Sequence, residues 1–304
     1  MDKVINGEIT FMNNFLENID KQIESNKGKN IFLDQPGLLH FIRETVEAIS
    51  KLDQLSPEQQ RVLIDYAADK AHEEFCRVNQ YYSFGAESKK ALRDVYADLL
   101  ASIQQKDQSV DAISENHYKK LKSWLQEYNA FGGKLYENAG PYIEPVACSE
   151  YSAALQLGIL AIDPRSLMQP VLDVGCGKEG NLVKFLEKQG IEVFGIDRFS
   201  FEATNLFTGD WLEFDFGRSK WGTIISNLGF SNHFNHHHLR EDGNYIAYAK
   251  AYMDILHGLK PGGSFYYAPD LPFIEKYLDT TRFTLKKQEV NQYDFKSTVI
   301  KRLG

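Results

Sequence analysis

Between residues 171 and 180 an apolar run, Val171-Leu172-Asp173-Val174, passes without a break into Gly175-Cys176-Gly177-Lys178-Glu179-Gly180. Glycine adopts the backbone conformations of a tight turn, and its missing side chain lets a ligand approach the main chain. A helix that follows such a turn presents unpaired N–H groups at its first residues. Strand, glycine turn and helix in that order open a βαβ unit, so this stretch predicts a parallel sheet covered by helices. Further apolar runs at 192–196, 223–226 and 264–268 supply strands, and the first strand is read over 170–174. Helices are expected over 150–162, 179–189 and 244–259. Two alternating runs, about 281–290 and 294–302, read as an antiparallel hairpin closing the sheet. The fold class expected is α/β: a Rossmann-like, doubly wound, mostly parallel sheet with a C-terminal antiparallel hairpin, preceded by an all-helical domain.

That helical domain occupies residues 1–130. Ser56-Pro57-Glu58-Gln59 combines a hydroxyl N-cap, proline at the first helical position and Gln at the third, which marks a helix start. Val62, Leu63, Tyr66, Ala67 and Ala71 follow at helical spacing. Leu92, Val95, Tyr96, Leu99 and Leu100 form a second stripe, and Ile113, Leu121, Trp124, Leu125 and Tyr128 a third. Residues 8–25 and 37–52 fit two more helices, separated by a turn at Asp34-Gln35-Pro36-Gly37. These stripes read as core. No repeat with a fixed period is visible. The Gly/Pro-punctuated stretch from Phe131-Gly132-Gly133 to Gly140-Pro141 reads as a linker, 131–149, leaving 150–304 as the α/β domain. The helical domain is expected to act as a lid, a substrate wall or an oligomerisation element.

Charge narrows the partners. Among 304 residues, 34 Lys and Arg against 42 Asp and Glu give a net charge of −8. With no Lys/Arg-rich run, the chain is a poor candidate for tracking a phosphate backbone, and no nucleic-acid partner is expected. No apolar run approaches the roughly 18 residues of a membrane span, and the N-terminal stretch lacks a signal-peptide h-region. Cys76, Cys148 and Cys176 are too few and too scattered for a disulfide framework or a zinc site. The expected address is cytoplasmic, without membrane association, as a monomer or homodimer.

About twenty residues beyond the glycine turn, the second strand ends in Phe194-Gly195-Ile196-Asp197. An acid there can accept hydrogen bonds from both hydroxyls of a ribose, so glycine turn and acid together form an adenosine-binding arrangement. The glycines match G-x-G-x-x-G, which by itself also fits a nicotinamide or flavin dinucleotide. Asp173 opposes that alternative: a carboxylate two residues before the first glycine repels a pyrophosphate and suits an ammonium or sulfonium.

LDVGCGKEG resembles motif I of class I S-adenosylmethionine-dependent methyltransferases, and FGIDRF resembles their second-strand motif. GTIISNLGFSNHF (222–234) is similar to their fourth strand and its loop. LHGLKPGGSFYYA (256–268) is similar to the turn before their fifth strand. The blocks occur in the family's order across 150–304; the helical half lies outside the resemblance. It implies S-adenosyl-L-methionine as cofactor, with Asp173, Gly175, Cys176 and Gly177 shaping the pocket for its methionine end. Asp197 would hold the ribose and Arg198 or Phe199 would border the adenine. Asp210-Trp211 would meet the adenine ring, and Asn227 would lie under the sulfonium and methyl. Only a dozen residues separate Asp197 from Asp210, which predicts a shortened or missing helix there.

Methyl transfer from a sulfonium is an in-line displacement, served by positioning and exclusion of water, and an O or N acceptor also needs its proton removed. His233, expected in the loop after the fourth strand, is the candidate base, since imidazole titrates near neutrality. His236-His237-His238 reads as the solvated start of the next helix, and no metal site is expected. Tyr142, Tyr151, Tyr267 and Asp270 are candidate substrate contacts, among aromatics that include Tyr136, Tyr266 and Phe273. The leading expectation is a methyltransferase acting on a small molecule. The rivals are aminocarboxypropyl transfer from the same cofactor, a non-catalytic cofactor-binding module and an NAD-dependent dehydrogenase.

Overall fold

The computed structural model describes residues 2–304 apart from residues 36, 147–149, 200 and 292. It divides into two compact units, Met1–Cys148 and Ser149–Gly304. No helix among the described residues is long and apolar enough to cross a membrane.

The N-terminal unit is helical: α1 (Asp2–Asn26), α2 (Arg43–Ile49), α3 (Pro57–Val78), α4 (Ala86–Gln105), α5 (Val110–Tyr128) and α6 (Ala130–Tyr136). The predicted start of α3 is a complete capping box, with the Gln59 amide N–H donating to Ser56 Oγ (3.2 Å) and the Ser56 N–H to Gln59 Oε1 (2.8 Å). The predicted helix over 37–52 shortens to α2 and a 3-10 turn at Leu52–Gln54. Trp124 anchors the core, stacked on Phe84 and donating its indole N–H to the Ser88 carbonyl.

The expected linker belongs to this unit. Gly132 and Gly133 lie buried within α6, and a Cβ on Gly132 would sit 2.5 Å from the Tyr82 hydroxyl. These glycines permit close packing and do not break a helix. Bridges from Tyr142 to Lys29 and from Val146 to Asn79 tie the following segment down. Tyr136 is a core residue whose hydroxyl accepts from Asn79 Nδ2.

The C-terminal unit begins with α7 (Ala153–Leu160). Its seven strands are β1 (Val171–Val174), β2 (Val193–Asp197), β3 (Leu206–Thr208), β4 (Trp221–Asn227), β5 (Leu259–Ala268), β6 (Phe283–Glu289) and β7 (Lys296–Arg302). They form one sheet in the order β3-β2-β1-β4-β5-β7-β6. The first five run parallel, and β7 pairs antiparallel with both β5 and β6, which is the expected closing hairpin. Helices α8 (Asn181–Lys188), α9 (Phe230–His238), α10 (Tyr245–Gly258) and the short α11 (Pro272–Glu275) complete the unit. The central strands are buried on both faces, so they read as continuous apolar runs. Between β2 and β3 no helix occurs among the described residues, and eight residues connect Asp197 to Leu206.

The strand order reverses direction between β1 and β4. In open α/β sheets the crevice at the carboxyl ends of two such strands is where ligands bind.

Candidate functional site at the β1–β4 crevice

At the carboxyl end of β1 the chain turns through Gly175, Gly177 and Gly180, with φ of +83°, +75° and +57°. These are left-handed conformations, costly for any residue with a Cβ. A Cβ on Gly175 would also stand 3.0 Å from Trp211 Cζ3. The end of β4 approaches from the other side: the Gly229 Cα is 3.7 Å from that Cβ position. Leu228, between Asn227 and Gly229, is itself held at φ +55°, its N–H donating to the Ala268 carbonyl (2.8 Å).

Asp197 organises the turn. Its Oδ2 accepts from the Gly177 N–H (2.9 Å) and its Oδ1 from the Arg198 N–H (2.7 Å). With the Phe199 N–H also donating, the carboxylate keeps acceptor capacity for one further donor. Burial raises its pKa, opposed by the Arg198 charge and by the backbone N–H groups of Gly177, Arg198 and Phe199.

Asp173 differs sharply. It is fully buried, and neither carboxyl oxygen has a hydrogen-bond partner. Burial, then the charges of Asp197 and Glu150, push its pKa up to about 8. One strand away, Asn227 is buried with both side-chain polar atoms unpartnered. Buried polar groups normally find partners, so two orphaned side chains at one crevice mark a place built for a ligand.

Glu150 carries no sequence motif and was not anticipated. Its Oε1 accepts from the Lys178 N–H (2.8 Å), and its carboxylate fills the space that a Cβ on Gly177 would need. The crevice is thus lined by three carboxylates: Asp173, Asp197 and Glu150. Cys176, between the glycines, is buried against Gly195, and burial pushes its thiol pKa up, leaving a small apolar side chain and no thiolate nucleophile.

The adenine-side candidates also gather here. Asp210 Oδ1 accepts from the Leu212 N–H (2.9 Å), forming a local turn that sets Trp211 against Gly175. The Trp211 ring meets His233 edge-on at 5.0 Å. His233 lies on α9 and not in a loop; it is 3% exposed, with Nδ1 3.4 Å from the Tyr248 hydroxyl. Burial and the nearby Arg198, His237 and His236 hold its pKa well below the usual histidine value, so the ring is neutral. The following histidines close the last turn of α9 and do not begin a new helix. His237 is buried, accepts from the Asn244 N–H and stacks on Tyr248, while His238 stacks on Phe273 at 3.7 Å. Among the described residues no cluster of His, Cys, Asp or Glu is arranged to hold a metal ion.

The substrate candidates scatter. Tyr267 has no exposed surface; its hydroxyl donates to Glu275 Oε1 (2.6 Å) and lies 3.2 Å from that of Tyr252. Its place is the core, because it points inward from β5. Asp270 is ion-paired with Lys287 (2.7 Å), which also reaches Glu275 (2.6 Å). Tyr151 is half-buried and offers its carbonyl to Asn181 Nδ2 (3.2 Å). Tyr142 is exposed on the N-terminal unit.

No family model matches the sequence. No curated protein matches it either. Solved structures do. A TehB-like S-adenosylmethionine-dependent methyltransferase from Corynebacterium glutamicum is 20% identical over 43% of this chain and 79% of its own, with a TM-score of 0.33. A Methanosarcina mazei S-adenosylmethionine-dependent methyltransferase is 14% identical over 46% and 96%, with a TM-score of 0.31. The 1,6-didemethyltoxoflavin-N1-methyltransferase of Burkholderia thailandensis, solved with 1,6-didemethyltoxoflavin and S-adenosylhomocysteine, is 18% identical over 50% and 76%, with a TM-score of 0.33. By its own sheet order and strand pairings the C-terminal unit has a Rossmann-like, mostly parallel fold closed by an antiparallel hairpin.

Proposed function

We propose that the C-terminal unit binds S-adenosylmethionine in the β1–β4 crevice and transfers its methyl group to a small-molecule acceptor. The observation that carries this reading is the orphaned, fully buried Asp173 beside Asp197 and Glu150. A crevice with three carboxylates, of which Asp173 has no hydrogen-bond partner, favours a ligand that brings positive charge and disfavours a pyrophosphate. An ammonium and a sulfonium on one nucleoside match that demand.

When bound, the cofactor supplies a methyl activated by sulfonium, and in-line transfer leaves S-adenosylhomocysteine. Asp173 and the Gly175–Gly177 main chain hold the amino-acid end. Asp197 accepts from a ribose hydroxyl through the acceptor capacity its three backbone bonds leave. Trp211 and Arg198 border the base, and Asn227 offers an amide at the strand end nearest the turn. His233, neutral because it is buried, is in the form that can accept a proton. Its low basicity suits an acceptor that has become strongly acidic by gaining the methyl. The net charge of −8 supports an acceptor other than nucleic acid.

Calorimetry with S-adenosylhomocysteine tests the reading. The wild type binds, and Asp197→Ala binds at least tenfold more weakly, the scale of losing a charge-assisted hydrogen bond. Absence of binding to the wild type overturns the assignment, and equal binding by the variant removes the ribose role. Turnover that yields S-adenosylhomocysteine separates methyl transfer from transfer of the aminocarboxypropyl group.

A further inference from the structure

We propose that the N-terminal helical unit is itself a binding unit for an uncharged, mainly apolar molecule of about bicyclic size that carries one hydroxyl, held in a cavity between α1, α3, α4 and α5. The proposal does not rest on the methyltransferase reading and stands if that reading falls.

The cavity measures about 210 Å³. Protein interiors are close-packed, and voids larger than a water molecule are few. An apolar cavity of about 150 Å³ is enough to take up benzene, so this one has room for a second ring. Its walls are Phe15 and Ile19 of α1, Leu63 and Ile64 of α3, and Leu99 and Ile103 of α4. A mostly apolar wall with very few placed polar groups is the make-up of a small-molecule site.

The polar group is His117 of α5. It lines the cavity, is 5% exposed, and its Nδ1 has no hydrogen-bond partner. The ring is fixed edge-on between Tyr96 (5.0 Å) and Tyr118 (5.3 Å). Gln22, Asn26, Thr45 and Tyr118 of the same lining are already engaged. Gln22 Nε2 donates to the His40 carbonyl and the Tyr118 hydroxyl, Gln22 Oε1 accepts from the Ile42 N–H and the Thr45 hydroxyl, and Asn26 Nδ2 donates to Tyr118. Among the described residues, Nδ1 of His117 is the one side-chain atom of this cavity's lining that is both fully buried and without a hydrogen-bond partner.

Burial lowers the His117 pKa to about 3, with Lys120 adding to the effect, so the imidazole is neutral at any working pH. An anionic ligand would gain no ion pair from His117 and would lose its hydration, whereas a neutral hydroxyl avoids that penalty. A hydroxyl both donates and accepts, so it pairs with Nδ1 in either tautomer.

The test uses the full-length chain with 2-naphthol and naphthalene as probes. Wild type is expected to bind both, preferring 2-naphthol by about tenfold, the scale of one buried hydrogen bond. Filling the cavity from α3, with Ala67→Phe or separately Ala71→Leu, is expected to weaken both probes by at least tenfold without lowering the melting temperature. His117→Phe is expected to retain naphthalene and to bring the preference close to one. In wild-type protein with nitrogen-labelled histidine, 2-naphthol is expected to shift the His117 Nδ1 resonance and naphthalene to leave it nearly in place. That readout needs no variant to fold. Absence of 2-naphthol binding at its solubility limit overturns the proposal, as does undiminished binding in a folded filled variant or an unmoved Nδ1 resonance.

Discussion

At the residue scale, the Asp173 carboxyl acts on stability and on binding in opposite directions. Its folded pKa of about 8 lies above the roughly 3.9 of an unfolded aspartate. Between those values the native state holds more protons than the unfolded one, so stability contributed by neutral Asp173 is full below about pH 4 and falls as pH rises to about 8. Asp173→Asn keeps the shape and removes the charge. Thermal melts from pH 5 to 8.5 are expected to show a shallower decline in the variant, which becomes the more stable protein at pH 8. A cationic ligand needs the ionised form, so wild-type affinity for S-adenosylhomocysteine is expected to rise between pH 6 and 8. Asp173→Asn should bind at least tenfold more weakly and lose that rise. An identical pH profile in both proteins would clear Asp173 of either role. The residue was legible in the sequence because two glycines and a strand fix where a carboxylate must stand. Glu150 was not, since it meets Lys178 across 28 residues outside any motif. Tyr267 misled for a different reason: an aromatic at a strand end announces its ring and not its direction.

Elements were legible wherever a pattern had one reading. The capping box fixed the start of α3, and alternation in two adjacent runs predicted β6 and β7. Helix α9 escaped notice because Phe-Ser-Asn-His-Phe-Asn-His-His-His is poor in strong helix formers, and no side chain caps its start. Burial of Phe230, His233, Phe234 and His237 on one side makes it a helix, and only tertiary packing supplies that. The closing hairpin is joined to α11 and β5 by a buried polar cluster. Glu275 Oε1 accepts from the Tyr267 and Thr298 hydroxyls and the Leu271 N–H, and Lys287 supplies the counter-charge. Removing one partner of a buried ion pair strands the other. Lys287→Met is therefore expected to destabilise the C-terminal unit by about 2–4 kcal/mol, with Lys287 itself part-exposed. Adding Glu275→Gln should recover part of the loss. Denaturant melts of the two single variants and the double variant measure the coupling, and strict additivity would mean the pair does not hold the hairpin.

At the scale of the whole molecule, the change from helical stripes to alternating strands and helices predicted two units, and the division falls at Cys148–Ser149, the end of the expected linker, with the glycines that open that linker inside the helical unit. Glycine at 132 and 133 signals a break only when read locally; packed against Tyr82 it allows contact. Each unit has its own buried core, around Trp124 in one and around the central strands in the other. A ligand stabilises the fold that binds it by mass action. At about 100 times its Kd, S-adenosylhomocysteine should add about 2.7 kcal/mol to the 149–304 unit, or roughly 5–10 °C in its melting temperature. Hydrogen exchange followed peptide by peptide should place the largest added protection in 171–181, 193–198 and 226–234, where the glycine turn, Asp197 and Asn227 lie. Protection concentrated on α3 to α5 would instead put the nucleoside in the helical unit, and the crevice assignment would fall with it.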